Sequence, residues 1–301
     1  MKFVKHIILS IAGIFVFGLI MNFIIKRIAL KDFKIKADKT ILVFGDSHAE
    51  CNFYDEGNEI QNFGVRSEAP NFTLLKAQHL LKPNSNQKIV MTLSPHNISN
   101  WREKQYYEQD SSAGMISKYW SLIGHRYLLN NYSSLPVKTR ALLHLKKVTG
   151  APNIESSFLV KNNFKGGFYR DKDTTILSSK FVKKSFQRHF GDENFNNKNI
   201  ELSSEKFKKY FIELIDFTTS TNEEVIIIGT PVHEKYLSLL SQEQYGDYKL
   251  FLSQLQEEFP KIQILDYTEL SIPDNFYLDS DHLNFEGAKY FTELVIEEIN
   301  N

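Results

Sequence analysis

Two short blocks, far apart in the chain, carry residue types that together can activate a hydroxyl. Gly45-Asp46-Ser47-His48 closes an apolar run near the N-terminus, and Asp279-Ser280-Asp281-His282 stands near the C-terminus, followed by Leu283-Asn284. A serine hydroxyl is a weak nucleophile until a base takes its proton, which an imidazole does near neutral pH. An aspartate three residues before that histidine can orient the ring and stabilise its protonated form. Ser47, His282 and Asp279 are therefore the candidate nucleophile, base and orienting acid for attack on an acyl ester. Two plainer roles stand beside these. Ser47 alone would serve equally as a helix cap, and Asp281 competes with Asp279 as orienting acid or caps the following helix.

Such groups react only if the fold brings them to one edge. Ile41-Leu42-Val43-Phe44 is a short continuous apolar run ending at glycine, the pattern of a strand buried on both faces. Similar runs lie at Ile89–Leu93, Val225–Ile228 and Ile262–Leu265, with a weaker one at Glu59–Asn62. Between them, Phe72, Leu75, Ala77, Leu80 and Leu81 suit a helix, and Phe207, Tyr210, Phe211, Leu214 and Ile215 follow the i, i+3, i+4, i+7, i+8 template. Alternating strands and helices predict a parallel sheet covered on both faces, an α/β architecture. Residues just past the C-terminal ends of parallel strands share one edge. That edge would gather Gly45-Asp46-Ser47, Asn62-Phe63-Gly64, Ser94-Pro95-His96-Asn97 and Asp279–His282.

A tetrahedral intermediate needs fixed donors for its oxyanion. The backbone N–H groups of Ser47 and Gly64 and the side chain of Asn97 are the candidates, although Gly64 could merely permit a positive φ and Asn97 could be a loop residue. His48, His96 and His233 also fall near strand ends and are candidate substrate contacts. With Asp46 and Asp279 they could be read as metal ligands, but each stands singly, without a His-x-His or His-Glu-x-x-His pair. No metal or cofactor is assigned. Cys51, the one cysteine, excludes an intramolecular disulfide and a cysteine-rich zinc site, and reads as a buried apolar residue.

The four blocks resemble those of the SGNH (GDSL-type) hydrolases, over residues 40–99 and 223–299. Gly45-Asp46-Ser47 matches the first block, with His48 where leucine is more usual, and Asn62-Phe63-Gly64 matches the second in reduced form. Asp279-x-x-His282, extended by Leu283-Asn284-x-x-Gly287, matches the fourth. The third departs: Ser94-Pro95-His96-Asn97-Ile98 stands where Gly-x-Asn-Asp is usual. The resemblance implies a three-layer α/β/α, flavodoxin-like fold over residues 40–301, a Ser-His-Asp triad, and O-deacylation or O-acyl transfer on an acylated envelope glycan or related ester. A catalytically silent scaffold that keeps the fold and binds envelope polymer is the competing expectation.

Ile7–Ile25 is a 19-residue run without a charged residue. As a helix it spans roughly 29 Å, about one hydrocarbon core. No small-x-small cleavage site ends it, so a transmembrane anchor (7–25) is expected, with residues 1–6 as a tail and 26–39 as a linker. Lys26, Arg27, Lys31, Lys34 and Lys36 outnumber Lys2 and Lys5, which taken literally places the bulk inside. The very short leading tail argues for the opposite, and an extracytoplasmic domain is the expectation. The zero net charge conceals segregation: residues 101–190 hold 16 basic and 6 acidic side chains, and 191–301 hold 8 and 22. The stretch 100–222 therefore reads as a basic, aromatic, mainly helical insertion. It either packs on the acidic third or forms a groove for an anionic or carbohydrate-rich polymer, with Lys146, Lys147, Lys183 and Lys184 as contacts. Without a binding motif, nucleic acid is not an expected partner.

Overall fold

A computed structural model describes residues 2–31, 33–83, 86–107, 116, 118–131, 137–149, 163–169, 177–191, 203–221 and 224–301. In chain order the helices and strands are α1 (Lys2–Leu30), β1 (Ile41–Phe44), α2 (Ser47–Asn52), β2 (Ile60–Asn62), α3 (Pro70–Leu80), β3 (Lys88–Thr92) and α4 (Asn100–Tyr107). There follow α5 (His125–Asn131), α6 (Val137–Thr149), α7 (Ser179–Phe190), α8 (Glu205–Thr221), β4 (Val225–Gly229), α9 (Glu234–Leu237), α10 (Gln242–Glu258), β5 (Gln263–Asp266) and α11 (Phe285–Asn300). The chain divides into two compact units, residues 1–34 with 110–164 and residues 35–109 with 165–301.

In the first unit, α6 packs against α1 and α5. Phe3–Leu30 is long and apolar enough to cross a membrane, with a mean hydropathy of 2.5. Most of its apolar side chains, among them Phe3, Ile8, Ile11, Ile14 and Phe17, are exposed, whereas Ile25 and Ala29 are buried. The helix continues past the expected end at residue 25 because Lys26 and Arg27 stop the apolar run but favour helix, so the start of the expected linker is helical to Leu30. Tyr119 and Trp120 are buried, and Phe33 meets Phe164 edge-on at 5.0 Å.

The second unit holds a five-stranded, all-parallel sheet in the order β2-β1-β3-β4-β5. The strands are short β-branched runs, and β1 and β4 are buried at every position, as central parallel strands require. Ile41, Val43, Val90, Ile226 and Ile228 form one core with Ala49 from α2, Phe53 just after it, and Ala288, Phe291, Val295 and Ile299 from α11. Residues of opposite parity, including Leu42, Phe44, Ile89, Met91 and Ile227, are buried too, and α3 and α8 pack together with Phe211 and Leu214 near Phe44 and Met91. β1 lies between β2 and β3, so chain direction across the sheet reverses there, and the ends of those strands open a crevice.

The expected 100–222 insertion divides between the units. Residues 110–164 belong with α1, whereas α4, α7 and α8 belong to the sheet unit. The reason lies in connectivity. Two parallel strands such as β3 and β4 need a crossover, and the apolar stripe of α8 (Phe207, Phe211, Leu214, Ile215, Thr218) supplies its buried face.

Candidate active site

The site starts where β1 ends. Gly45 has φ +150°, and a Cβ there would lie 1.9 Å from Thr92 Oγ1, so only glycine lets the strand turn sharply into α2. Asp46 caps α2, its Oδ1 accepting from the His48 N–H at 3.0 Å. Ser47 is the first helical residue, half-buried, and faces a cavity. Asp46 Oδ2 gathers three donors: His96 Nε2 at 2.8 Å, Asn97 Nδ2 at 2.9 Å and Arg102 Nη1 at 2.9 Å. Burial pushes the Asp46 carboxyl up, and the surrounding His96, Arg102 and His48 overcome it, holding the group well below the usual carboxylate range. Asp46 is thus the hub that ties α2, the segment after β3 and α4 together.

Each predicted oxyanion donor can now be placed. Ser47 lines the cavity, and its N–H has no hydrogen-bond partner among the described residues. The Gly64 N–H donates to Asn62 Oδ1 at 2.7 Å, and Asn62 Nδ2 in turn reaches the carbonyls of Ala49 and Phe53. A Cβ on Gly64 would lie 2.3 Å from the Glu50 nitrogen, so glycine is needed for close approach of this loop to α2, and its φ is not positive. Asn97 spends Nδ2 on Asp46 and Oδ1 on the Ser94 N–H at 2.7 Å, closing a capping box over Pro95–Ile98. Gly64 and Asn97 both stand away from the cavity lining, as braces of the Ser47 loop.

The C-terminal block folds on itself through Asp279. Its Oδ1 accepts from the Asp281 N–H at 3.0 Å and the His282 N–H at 2.9 Å, and lies 2.9 Å from His282 Nδ1. One carboxylate therefore shapes the turn and holds the imidazole, which is why His282 stands three positions after Asp279. His282 Nε2 is buried and has no hydrogen-bond partner among the described residues. Ser47, Asp279 and His282 line one cavity of about 330 Å³. Burial alone would lower the His282 pKa; the Asp279 and Asp281 carboxylates outweigh it and raise it to about 9.

Asp281 is fully buried and turns the other way. Arg188 Nη2 donates to its Oδ2 at 3.0 Å, His282 Nδ1 lies 3.4 Å away, His189 Nε2 3.7 Å and His48 Nε2 3.8 Å. It does not cap α11; Asn284 does, accepting from the Gly287 N–H at 3.0 Å. Burial raises the Asp281 carboxyl, and its ring of His282, His189, His48 and Arg188 brings it well below the usual range. His48, Asp281 and His282 place ligand atoms within 4.8 Å of one another, the described set that could hold a cation. Arg188 already supplies positive charge there. The five residues weighed from sequence as ligands do not converge in this way.

His48, His96 and His233, the expected substrate contacts, do not line the cavity. His48 Nδ1 meets Thr230 Oγ1 at 2.6 Å, and His96 is committed to Asp46. His233 caps α9, accepting from the Lys235 N–H, and its Nε2 lies 3.2 Å from Asp274 Oδ1. Burial and His48 push His96 down to about 3. Cys51 is buried, and burial pushes its thiol up to about 12, far from a thiolate nucleophile. Lys183 and Lys184 lie exposed on α7, while the side chains of Lys146 and Lys147 lie outside the described residues.

The remaining lining groups include Arg66, Arg102, Gln105, Tyr106, Arg188 and His189; of these only Tyr106, as an aromatic of the basic segment, stands out in the sequence. Arg102 and Tyr106 sit one turn apart on α4, with Arg102 Nη2 3.3 Å from Tyr106 Oη, a spacing that a search for paired polar residues on one helix face would catch. Arg188 and Asp281 are joined only through the tertiary fold.

Comparison with known proteins adds little function. A protein-family model that carries no functional description matches residues 181–301, a stretch that includes Arg188, His189, β4, β5 and Asp279–His282. No curated protein matches the chain in sequence. Among solved structures, a Streptococcus pneumonia protein provisionally described as a platelet activating factor aligns over 98% of both chains, with 10% identity and a TM-score of 0.39.

Proposed function

We propose that this protein is a serine-dependent ester hydrolase or acyl transferase of the SGNH type. On this reading the sheet unit is an α/β/α sandwich of that family, and the substrate is an acylated glycan or related ester of the cell envelope. One observation carries the chemistry: Asp279 braces Nδ1 of His282, whose Nε2 is buried and unpartnered among the described residues, and His282 lines one cavity with Ser47. In the first step Ser47 Oγ attacks the ester carbonyl as its proton passes to His282 Nε2. The oxyanion is met by the Ser47 N–H, and the charge of the Arg102 guanidinium, fixed in the cavity wall by Asp46, adds to its stabilisation. His282 then gives the proton to the departing alcohol, leaving acyl-Ser47. Water or an acceptor hydroxyl, deprotonated by His282, takes the acyl group and restores the serine. The raised His282 pKa keeps the ring protonated at neutral pH, so the base works best in mildly alkaline solution.

The long apolar helix α1 supports membrane anchorage, and on this reading the catalytic domain lies on the extracytoplasmic side. A fluorophosphonate probe applied to the full-length protein in detergent at pH 9 tests the serine. Labelling at Ser47 that is lost in Ser47→Ala and His282→Ala is expected; a folded wild type that takes no label rules the mechanism out. A second reading, a silent polymer-binding domain, draws on the engagement of Gly64 and Asn97 with internal partners. It predicts that Ser47→Ala leaves the cellular phenotype of the wild type intact.

A further inference from the structure

The cavity wall holds more positive charge than ester cleavage requires. Three guanidinium groups, Arg66, Arg102 and Arg188, share about 330 Å³ with Ser47 and His282. The one carboxylate in that wall, Asp279, is occupied by His282 and two backbone N–H groups. The carboxylates that anchor the arginines stand behind them: Asp46 behind Arg102, Asp281 behind Arg188 and Glu50 behind Arg66. Asp46 and Asp281 are buried and outside the lining, so their charge fixes the guanidinium groups without facing the cavity.

Arg66 and Arg188 differ from Arg102. Arg102 is buried and spends its donors on Asp46 and Tyr106. The side chains of Arg66 and Arg188 are 45% and 51% exposed. Arg66 donates through Nε to Glu50 at 2.8 Å and lies 3.8 Å over the Tyr169 ring, which holds the fork in one plane. Arg188 reaches Asp281 through Nη2 alone. Nη1 of each arginine has no hydrogen-bond partner among the described residues. A rigid guanidinium with free donors beside a reacting group is the geometry that recognises a phosphate or carboxylate. The space also exceeds the need of a small acyl group, and ligand sites of this size take a whole sugar- or polyol-sized unit.

We propose that this cavity selects esters whose next unit carries an oxyanion, a phosphate or a carboxylate, which Arg66 and Arg188 grip while Ser47 faces the acyl carbonyl; the assignment rests on the esterase reading above. The substrate class is then an O-acylated anionic polymer, such as a polyol phosphate or a uronate chain. Specificity resides in the arginines of the catalytic cavity, not in the lysines of α6 and α7.

The test uses the full-length protein in detergent. Acetate release is followed from O-acetylglycerol 3-phosphate, O-acetylglucuronate and the neutral O-acetylglycerol, and binding of sn-glycerol 3-phosphate and glucuronate is measured separately by calorimetry. At least a tenfold preference in kcat/KM for one anionic ester is expected, the preferred ester telling phosphate from carboxylate. Arg66→Gln, at an exposed position, should bring that ratio towards one and weaken calorimetric binding at least tenfold. Arg188→Lys keeps a counter-charge for Asp281 while removing the fork, and should do the same. Equal cleavage of the neutral and anionic esters would overturn the proposal and leave the esterase standing. Tight, Arg66-dependent anion binding without acetate release would uphold the oxyanion site and reject the esterase. Neither binding nor preference would reject the anionic substrate class outright.

Discussion

Replacing Asp279 by asparagine tests most directly how His282 is held. Asp279 Oδ1 serves the N–H groups of Asp281 and His282 as well as His282 Nδ1, and an asparagine oxygen can keep the two backbone bonds while the charge is removed. The distance from an ordinary imidazole near 6.5 to about 9 represents roughly 3 kcal/mol in favour of the charged ring. That figure is what Asp279 and Asp281 leave after burial has opposed them, and Asp279 is the larger of the two contributors. In Asp279→Asn the His282 pKa should fall by about one unit or more. Because the folded pKa lies above the unfolded one, this ion pair stabilises the fold fully below about pH 6.5, and its contribution disappears as pH rises through about 9. Imidazole NMR titration from pH 5 to 10, with His282→Gln to assign the resonance, reads the midpoint directly, and thermal melts at pH 6.5 and 9.5 read the linkage. The kcat/KM profile should rise with a midpoint near 9 in the wild type, and in the variant turn over at lower pH with a reduced plateau. A wild-type midpoint at or below 6.5 would refute the electrostatic argument. An unmoved midpoint in Asp279→Asn would transfer the brace to Asp281.

Other perturbations reach other parts of the site. His96, pushed down to about 3 by burial and His48, and His189, pushed well down by burial and His96, stay neutral in the fold but protonate when it opens. Their stabilisation is present above about pH 6.5 and lost as pH falls towards 3, so the melting temperature should drop steadily from pH 6.5 to 4, and a flat profile would contradict the burial argument. Lys76 and Glu68 form a fully buried pair at 2.7 Å beneath the Gly64 loop, where Lys76 also holds the Phe63 carbonyl. Lys76→Met should cost about 3–5 kcal/mol in urea unfolding by stranding Glu68, and Lys76→Met with Glu68→Leu should recover most of it. A neutral single variant would disprove the pairing. Gly64→Ala sets a Cβ against the α2 backbone and should destabilise by about 1–3 kcal/mol while reducing fluorophosphonate labelling of Ser47. Full labelling with an unchanged melt would show that the loop yields freely.

The sheet and the turn that sets Asp279 against His282 were legible because both depend on local pattern. Short β-branched runs bounded by glycine mark buried parallel strands, and even the weak run at Glu59–Asn62 forms β2. The Asp279-to-His282 spacing is a property of one self-closing turn, so it too can be read from consecutive residues. What escaped depends on distant partners. Arg188 acquires its role from Asp281, 93 residues on, and Arg102 from Asp46, 56 residues back. How the expected insertion divides between the units was hidden for a related reason: packing is decided by features such as the apolar stripe of α8, which a charge tally does not see. Gly64 and Asn97 were correctly placed near the site, but a residue type cannot tell whether a donor faces inward to a brace or outward to a ligand.

The two aspartates of the Asp279-Ser280-Asp281-His282 block divide labour in a way that draws positive charge to His282. The rings of His48 and His96 lie 4.2 Å apart, those of His96 and His189 4.4 Å, and those of His48 and His282 5.2 Å. Two like charges at about 4 Å repel by roughly 4 kcal/mol in a partly screened interior, so this cluster cannot be protonated throughout. Arg102 and Arg188 already compensate Asp46 and Asp281, leaving little need for a further cation beside His96 or His189. Only His282 has a second carboxylate, Asp279, directly on Nδ1, and the positive charge settles there. Burial that drives His96 and His189 to neutrality and a local turn that drives His282 to the imidazolium are therefore two sides of one arrangement. It leaves His96 and His189 as packing and hydrogen-bonding groups and places the charge on His282, whose ring lines the cavity shared with Ser47.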